Sequence, residues 1–515
     1  MDNTLSDFLH SHRFTLLLTL LICFIAFFHL WRIDTLPAGL YVDESSIGLN
    51  AALIADTGHD EHGALLPVYF EAFGDYKNPI YVYAAASLFK ILGVSELTLR
   101  LTSFCFFYIF IAGLLLLLED LFEKQPSVIV FGLLAAGFLP WFFPLSRIAF
   151  EVVSQLGIVV WSLYLIHKTY EQNNASTRLA LLTGIVTMVT LYTYSTARLL
   201  TMGSIILLLV CYPHRDYWRR HLNFILGATV AFIPYLIFAF RHGGALTQRF
   251  KILTFVYDPS LTILEKISLF THNYFSYFSL PYLTVHGDTN LRHATGFGGE
   301  LYWTVLILAI LGLGYGLYLA IKQRAKFPTF LIVNLLIAPM AAALTNGDSA
   351  LRSVLIGVYV VIFSCYGLGW LLRLNRQQRL SVSLIVFVTL TIEIRGYLTD
   401  YFKVYPSKTI TAFESYDFAG TLQKAYAMKP DDIVVSKEAN QPYAHLEFYR
   451  RTESFAGSLP ARVDLPVAAD SRCIIYFAFN ETIVEAQKFA RQDLETPGNY
   501  TKLSCFSLPT AKEQP

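Results

Sequence analysis

Eleven apolar runs, near residues 14–32, 99–118, 127–143, 150–167, 179–195, 197–212, 222–240, 301–320, 328–344, 353–372 and 380–396, each approach the length that crosses about 30 Å of hydrocarbon. A backbone inside that slab must satisfy its own polar groups, which a helix does. With 55% apolar and only 15% charged residues, the 515-residue chain is far too apolar for a set of soluble domains. The net charge of +1 points to no nucleic acid partner, because in such a chain the placement of charges matters more than their sum. The first run is about as long as a bilayer needs and no small-residue cleavage pattern follows it, so it reads as a retained anchor.

The stretch Pro79 to Gly93 is shorter, and Lys90 interrupts it. If it does not cross, four loops on the N-terminal side carry Lys168 and Arg178; Arg215, Arg219 and Arg220; Lys322, Arg324 and Lys326; and Arg373, Arg376 and Arg379. The three short loops opposite carry only Arg147, Arg198 and Arg352. The positive-inside rule then puts the N-terminus in the cytoplasm. Residues 79–93 are expected to form a helix in the outer interface, with its tyrosines at headgroup level. Extra half-crossings would also satisfy the rule, so the expected count is 11–13 spans.

This topology sends scattered polar groups to the outer face. Asp43, Glu44, Asp75 and Lys77 come from the first outer loop (34–98), Arg147 and Glu151 from the loop before the fourth run, and Arg352 opens a later one. Carboxylates at a span exit are often only solvated ends. Glu151 and Arg147, however, sit within a turn of an apolar run, where an ionisable group is costly and usually paired or functional. Arg198 and Arg241 read as basic residues snorkelling to headgroups. No His-x-x-x-His or Cys-x-x-Cys pattern occurs, so no structural zinc is expected. The aromatic stretch His272–Tyr282, in the long outer loop 241–300, has two readings: a headgroup belt, or a lid that stacks on a sugar or prenyl chain.

Several segments together resemble the bacterial branch of the dolichyl-phosphate-mannose protein mannosyltransferase superfamily, which includes the lipid A aminoarabinose transferases and has the GT-C membrane fold. They are Asp43-Glu44, Tyr76-Lys-Asn-Pro79, Leu92-Gly-Val-Ser-Glu-Leu-Thr-Leu-Arg100, Pro144-Leu-Ser-Arg147-Ile-Ala-Phe-Glu151, Gly287-Asp-Thr-Asn290-Leu-Arg292-His293-Ala-Thr-Gly296 and Leu351-Arg352-Ser. Asn78 departs from the proline that relatives often carry. The resemblance implies transfer of a sugar from a polyprenyl-phosphate-linked donor to a glycan, lipid or protein acceptor on the outer face of the inner (cytoplasmic) membrane, without metal or cofactor. Asp43, with Glu44 beside it, is then the base or base partner, since a base must reach the hydroxyl it deprotonates. Two adjacent carboxylates can also push one pKa upward. Lys77, Arg147 and Arg352 are candidates for the lipid phosphate. Glu151 either positions the acceptor or holds Arg147, and Asn290, Arg292 and His293 rim the site. A polysaccharide polymerase or O-antigen ligase-like enzyme is the rival reading. A secondary transporter fits less well, because the charges lie at one face and no internal repeat is visible.

The expected fold is therefore an all-α polytopic GT-C membrane domain over 1–400, followed by a small α/β extracytoplasmic domain over 401–515. In the latter, Asp432-Ile-Val-Val-Ser and Cys473-Ile-Ile-Tyr-Phe-Ala-Phe read as strands, and Glu414–Met428 and Glu481–Gln492 as helices. Cys473 and Cys505 are left as either a disulfide or two buried thiols, whereas Cys23, Cys105, Cys211 and Cys365 fall in apolar runs.

Overall fold

Each of the eleven runs carries a helix: Asp2–Leu30, Glu96–Phe122, Pro126–Phe138, Val152–Tyr170, Thr177–Val189, Ala197–Cys211, His214–Arg241, Trp303–Lys322, Lys326–Ile337, Leu355–Leu371 and Arg376–Thr399. The structure is a computed structural model that describes residues 2–409 apart from 124 and 173–174, and beyond them 412–413, 418–427, 433–435, 441–452, 455, 461–463, 473–477, 490–494 and 501–507. Helix starts follow local chemistry. Ser95, Ser176 and Asn375 accept from the backbone N–H groups of Thr98, Leu179 and Gln378, and Pro126 opens its helix where no N–H is needed. Large apolar residues such as Leu222, Phe240 and Leu384 point outward, as suits helices facing lipid. Among the described residues, six helices are long and apolar enough to cross a membrane, and the chain is a multi-pass membrane protein.

The helices meet through glycine. A Cβ at Gly312 would lie 1.7 Å from the Phe363 carbonyl oxygen, and one at Gly367 2.0 Å from that of Leu308. The same reciprocal contact joins Thr177–Val189 to His214–Arg241, where Cβ atoms at Gly184 and Gly227 would lie 1.9 and 2.1 Å from the carbonyl oxygens of Phe224 and Leu181. In lipid, helices associate by such close backbone approach rather than by burying apolar side chains from water.

Between the first and second long helices lies a small frame. It comprises a helix at Val42–Thr57, a hairpin of Phe70–Ala72 with Asp75–Lys77, and a helix at Pro79–Leu92. This last helix lies against Val42–Thr57 and Glu96–Phe122. Its tyrosines correct the headgroup reading. Tyr81 is fully buried and donates to the Leu99 carbonyl at 2.9 Å, and Tyr83 donates to the Pro67 carbonyl at 2.7 Å. The aromatic stretch is likewise neither belt nor lid at its two buried tyrosines. Tyr277 accepts from the Ser349 N–H at 3.1 Å, and the Tyr282 hydroxyl lies 3.1 Å from that of Ser353, so both pin the loop that carries Arg352.

Beyond residue 409, five strands form one mixed sheet, in the order Ala461–Val463, Ile433–Val435, Cys473–Phe477, Thr501–Ser507 and Ala490–Leu494. The first three run parallel and the last two are added antiparallel. Register sets Cys473 opposite Cys505. The helix Phe418–Ala427 lies within the expected Glu414–Met428, whose remaining residues are outside the described ones. The helix expected over Glu481–Gln492 is corrected at its end: Ala490–Gln492 open a strand, because pairing with Thr501–Ser507 overrides local helix propensity. Residues 481–489 lie outside the described ones.

Gly312→Ala forces the helix pair apart and is expected to lower stability by about 1–3 kcal/mol. Gly314→Ala, two residues along and on another face of the helix, with nothing within 4 Å of its Cβ, should be neutral or mildly stabilising. Thermal melting in detergent compares the two.

Candidate active site

Asp43 stands in the first turn of the helix Val42–Thr57, where the aligned backbone dipoles favour a negative charge. The hairpin is closed by Phe73 and Gly74, whose φ values of 56° and 72° turn the strands back on each other. That turn brings the Lys77 ammonium to 2.6 Å from the Asp43 carboxylate. Phe73 lies beneath the same ammonium, 5.3 Å from ring centre to nitrogen. Burial alone would raise Asp43, but Lys77, with Arg249 and Arg292 behind it, outweighs burial and holds the carboxyl below its usual value. Burial would likewise lower Lys77, yet Asp43 and Glu151 keep it raised. The pair is therefore charged at neutral pH.

It opens on a cavity of 240 Å³, walled by five cations, Lys77, Arg198, Arg249, Arg292 and Arg352, against the three carboxylates of Asp43, Asp75 and Glu151. Arg292 stacks 3.9 Å above the Tyr41 ring, beside Asp43, and Arg249 pairs with Asp75 at 3.3 Å. Arg352 donates to the Thr345 hydroxyl at 3.0 Å. His293, also on the wall, points Nδ1 at the buried Asp288 carboxylate, 2.9 Å away. Asp288 further accepts from the N–H groups of Asn290 and Ala350, so one carboxylate ties the His293 loop to the Arg352 loop. Burial would raise Asp288; His293 and these amides together hold it low.

Glu151 accepts from both the backbone N–H and the side-chain amide of Asn78, at 2.8 and 2.7 Å. Burial raises its pKa, against the opposing pull of Lys77 and Asn78. A proline at 78 could donate neither bond, so the departure from relatives is compensated here.

No family model matches the chain, and no curated protein does. Among solved structures, ArnT from Cupriavidus metallidurans bound to undecaprenyl phosphate superposes with a TM-score of 0.62 at 12% identity, over 96% of this chain and 99% of that one. The apo state of the same protein gives 0.58 at 11% identity, over 96% and 98%. The archaeal oligosaccharyltransferase AglB from Archaeoglobus fulgidus, in complex with an inhibitory peptide and a dolichol-phosphate, gives 0.50 at 11%, over 97% and 74%. The chain has the GT-C fold.

Within this GT-C fold the residues singled out from sequence divide. Asp43, Lys77, Glu151, Asn290, Arg292, His293 and Arg352 line the one cavity. Glu44 does not. It is fully buried, and its carboxylate accepts from the N–H groups of Tyr41 at 2.9 Å and Ala149 at 2.8 Å. Burial, opposed by Arg100 and these amides, raises its pKa. Arg147 is also away from the cavity. Its guanidinium donates to the carbonyls of Phe28, His29, Trp31 and Leu36 at 2.9, 2.6, 2.8 and 3.3 Å, and to the Tyr401 hydroxyl at 3.1 Å. These include the orphan carbonyls at the end of the first helix, where a cation belongs. Glu151 holds Asn78 rather than Arg147. Sequence reasoning missed Arg249, which stands in the short helix Ala245–Leu253 with no motif around it, and gave Arg198 to the headgroups.

Arg147→Leu strips these carbonyls of their donor and is expected to lower stability by about 3 kcal/mol or more, read as the melting midpoint in detergent. Arg352→Ala, which breaks one bond on a cavity wall, should shift it little. The reverse order would remove Arg147 from the frame.

Proposed function

We propose that the protein moves a sugar from a polyprenyl-phosphate-linked donor to a hydroxyl acceptor on the outer face of the cytoplasmic membrane, as a glycosyltransferase. The observation that carries this reading is the ionised Asp43 carboxylate facing a cavity that the guanidinium groups of Arg198, Arg249, Arg292 and Arg352 also line. A leaving phosphate gains negative charge as the sugar–oxygen bond breaks, and fixed cations stabilise that charge. Arg249, Arg292 and Arg352 are placed to do so, while Lys77 holds Asp43. The acceptor oxygen attacks the anomeric carbon, its proton passes to Asp43, and the bond's electron pair stays on the phosphate. The two ArnT structures and AglB support the reading through fold, and the lipid phosphates bound in ArnT and AglB support the donor class. The N-terminus is placed in the cytoplasm and the cavity outside, from the loop charges. Among acceptors, another glycan or lipid is the preferred class.

Transfer of radiolabelled sugar from undecaprenyl-phosphate-linked donors to cell-envelope fractions, by purified protein and its Asp43→Asn variant, tests the reading. The variant is expected to lose about 10²–10⁴-fold in rate. Equal transfer by both would remove Asp43 as the base.

The pH profile carries its own sign. Transfer needs ionised Asp43, and Lys77 lowers its pKa, so wild-type activity persists into acid where an ordinary aspartate would already be protonating. Lys77→Gln raises that pKa, and the acid limb of the profile is expected to move upward. An unmoved limb would detach Lys77 from the catalytic carboxylate.

A further inference from the structure

The helix Pro442–Tyr449 belongs to the segment that follows the membrane part, yet it lies on the helix that carries Asp43. His445 Nδ1 stands 2.7 Å from the Ser45 hydroxyl, two residues beyond Asp43, and both side chains are buried. One turn along, the Phe448 ring fills the space over Gly48 so closely that a Cβ there would lie 2.6 Å from it. Tyr449 donates to Glu96, which anchors the far end of the same short helix. Its first turn reaches the other half of the ion pair. Tyr443 meets Phe73 edge to face at 6.0 Å, and Phe73 is the ring beneath the Lys77 ammonium. Glu61, whose charge helps burial to raise the Tyr443 pKa, accepts from Asn50 of the Asp43 helix at 2.7 Å.

One eight-residue helix thus touches the support of Asp43 at Ser45 and Gly48, and that of Lys77 at Phe73. No residue of the helix lines the cavity; of the residues it touches, Phe73 is on the cavity wall while Ser45 and Gly48 are not. Full burial lowers the His445 pKa to about 3, so the ring stays neutral and its bond to Ser45 survives across the physiological range. Phe73 is held at a positive φ that a side chain other than glycine resists, and a ring packed on it helps to keep it there. A displacement of about 1 Å at a reacting group can cost a hundredfold in rate.

We propose that the helix Pro442–Tyr449 is a positioning clamp on the Asp43–Lys77 pair, through which the C-terminal segment sets turnover without touching substrate. The inference rests on the transferase reading for its kinetic effect. His445→Ala and Ser45→Ala in the full-length protein are expected to lower kcat about tenfold or more while leaving undecaprenyl phosphate affinity within twofold of wild type. His445→Asn, which keeps a polar atom near the Nδ1 position, should restore most of the rate. The acid limb of kcat should move upward in His445→Ala, because Asp43 loosens from Lys77 while Arg249 and Arg292 still face it and Glu151 still faces Lys77. Hydrogen exchange, which needs no turnover, should quicken over 42–57 and 70–77 in the same variant and stay unchanged in the distant helix 303–322. Wild-type rate and exchange in both alanine variants would overturn the clamp. So would a parallel loss of rate, lipid affinity and melting midpoint that asparagine fails to rescue. A wild type that transfers from no donor would sink the transferase reading, while the exchange data would still decide the clamp.

Discussion

Two buried guanidinium groups hold the turn that the Asp43 helix and the cavity beside it depend on. After the first helix ends at Leu30, the chain reverses before the helix at Val42 begins. Arg147 satisfies four carbonyls, two in the last turn of the first helix and two in the reversal. Arg100, also fully buried, donates to Ile33 at 3.1 Å and to Gly39. In a low-dielectric interior such charge-assisted bonds are strong, and an unpaired carbonyl is expensive. His29 adds a cross-tie, with its two ring nitrogens 2.6 Å from the Ser146 hydroxyl and 2.7 Å from the Gly137 carbonyl. The position of Asp43 is thus set by groups that never see the cavity.

The adjacent pair Asp43-Glu44 shows how one step along a helix divides two carboxylates. Asp43 faces cations and its pKa falls; Glu44 turns inward, meets backbone amides, and its pKa rises. Mutual repulsion between neighbours is not the main cause. Burial leads for Glu44, and the largest influence opposing it is the charge of Arg100. Glu44 fixes the start of the helix by capping Tyr41 and joins it to Ala149, so the inward acid aims the outward one.

Much of this was legible in the sequence because the bilayer imposes a length on each apolar run, and all eleven became helices. Charge at the ends of those runs was legible too, since an ionisable group there needs a reason. The direction of each side chain was not. Arg147 and Arg352 look alike as lone arginines at membrane borders, yet one closes a carbonyl cage and the other lines a cavity, a difference set by contacts as remote in sequence as Tyr401. Arg249 carried no signal, because a basic residue on a short amphipathic helix is ordinarily solvated. The contact of His445 with Ser45 spans 400 positions, and no periodicity reports a pairing of that kind.

Asn78 shows how a local exception can preserve the geometry it first puts in doubt. Proline at this position would fix the backbone after Lys77 but leave the Glu151 carboxylate without the N–H that now binds it. Asparagine gives up that rigidity and recovers it through two hydrogen bonds to a buried acid. The acid is held beside Lys77, whose pKa it helps to raise. Because Lys77 then faces carboxylates on two sides, it remains charged despite its burial. A lysine that stayed neutral there could not lower the Asp43 pKa, and the carboxylate would have only Arg249 and Arg292 to oppose its burial.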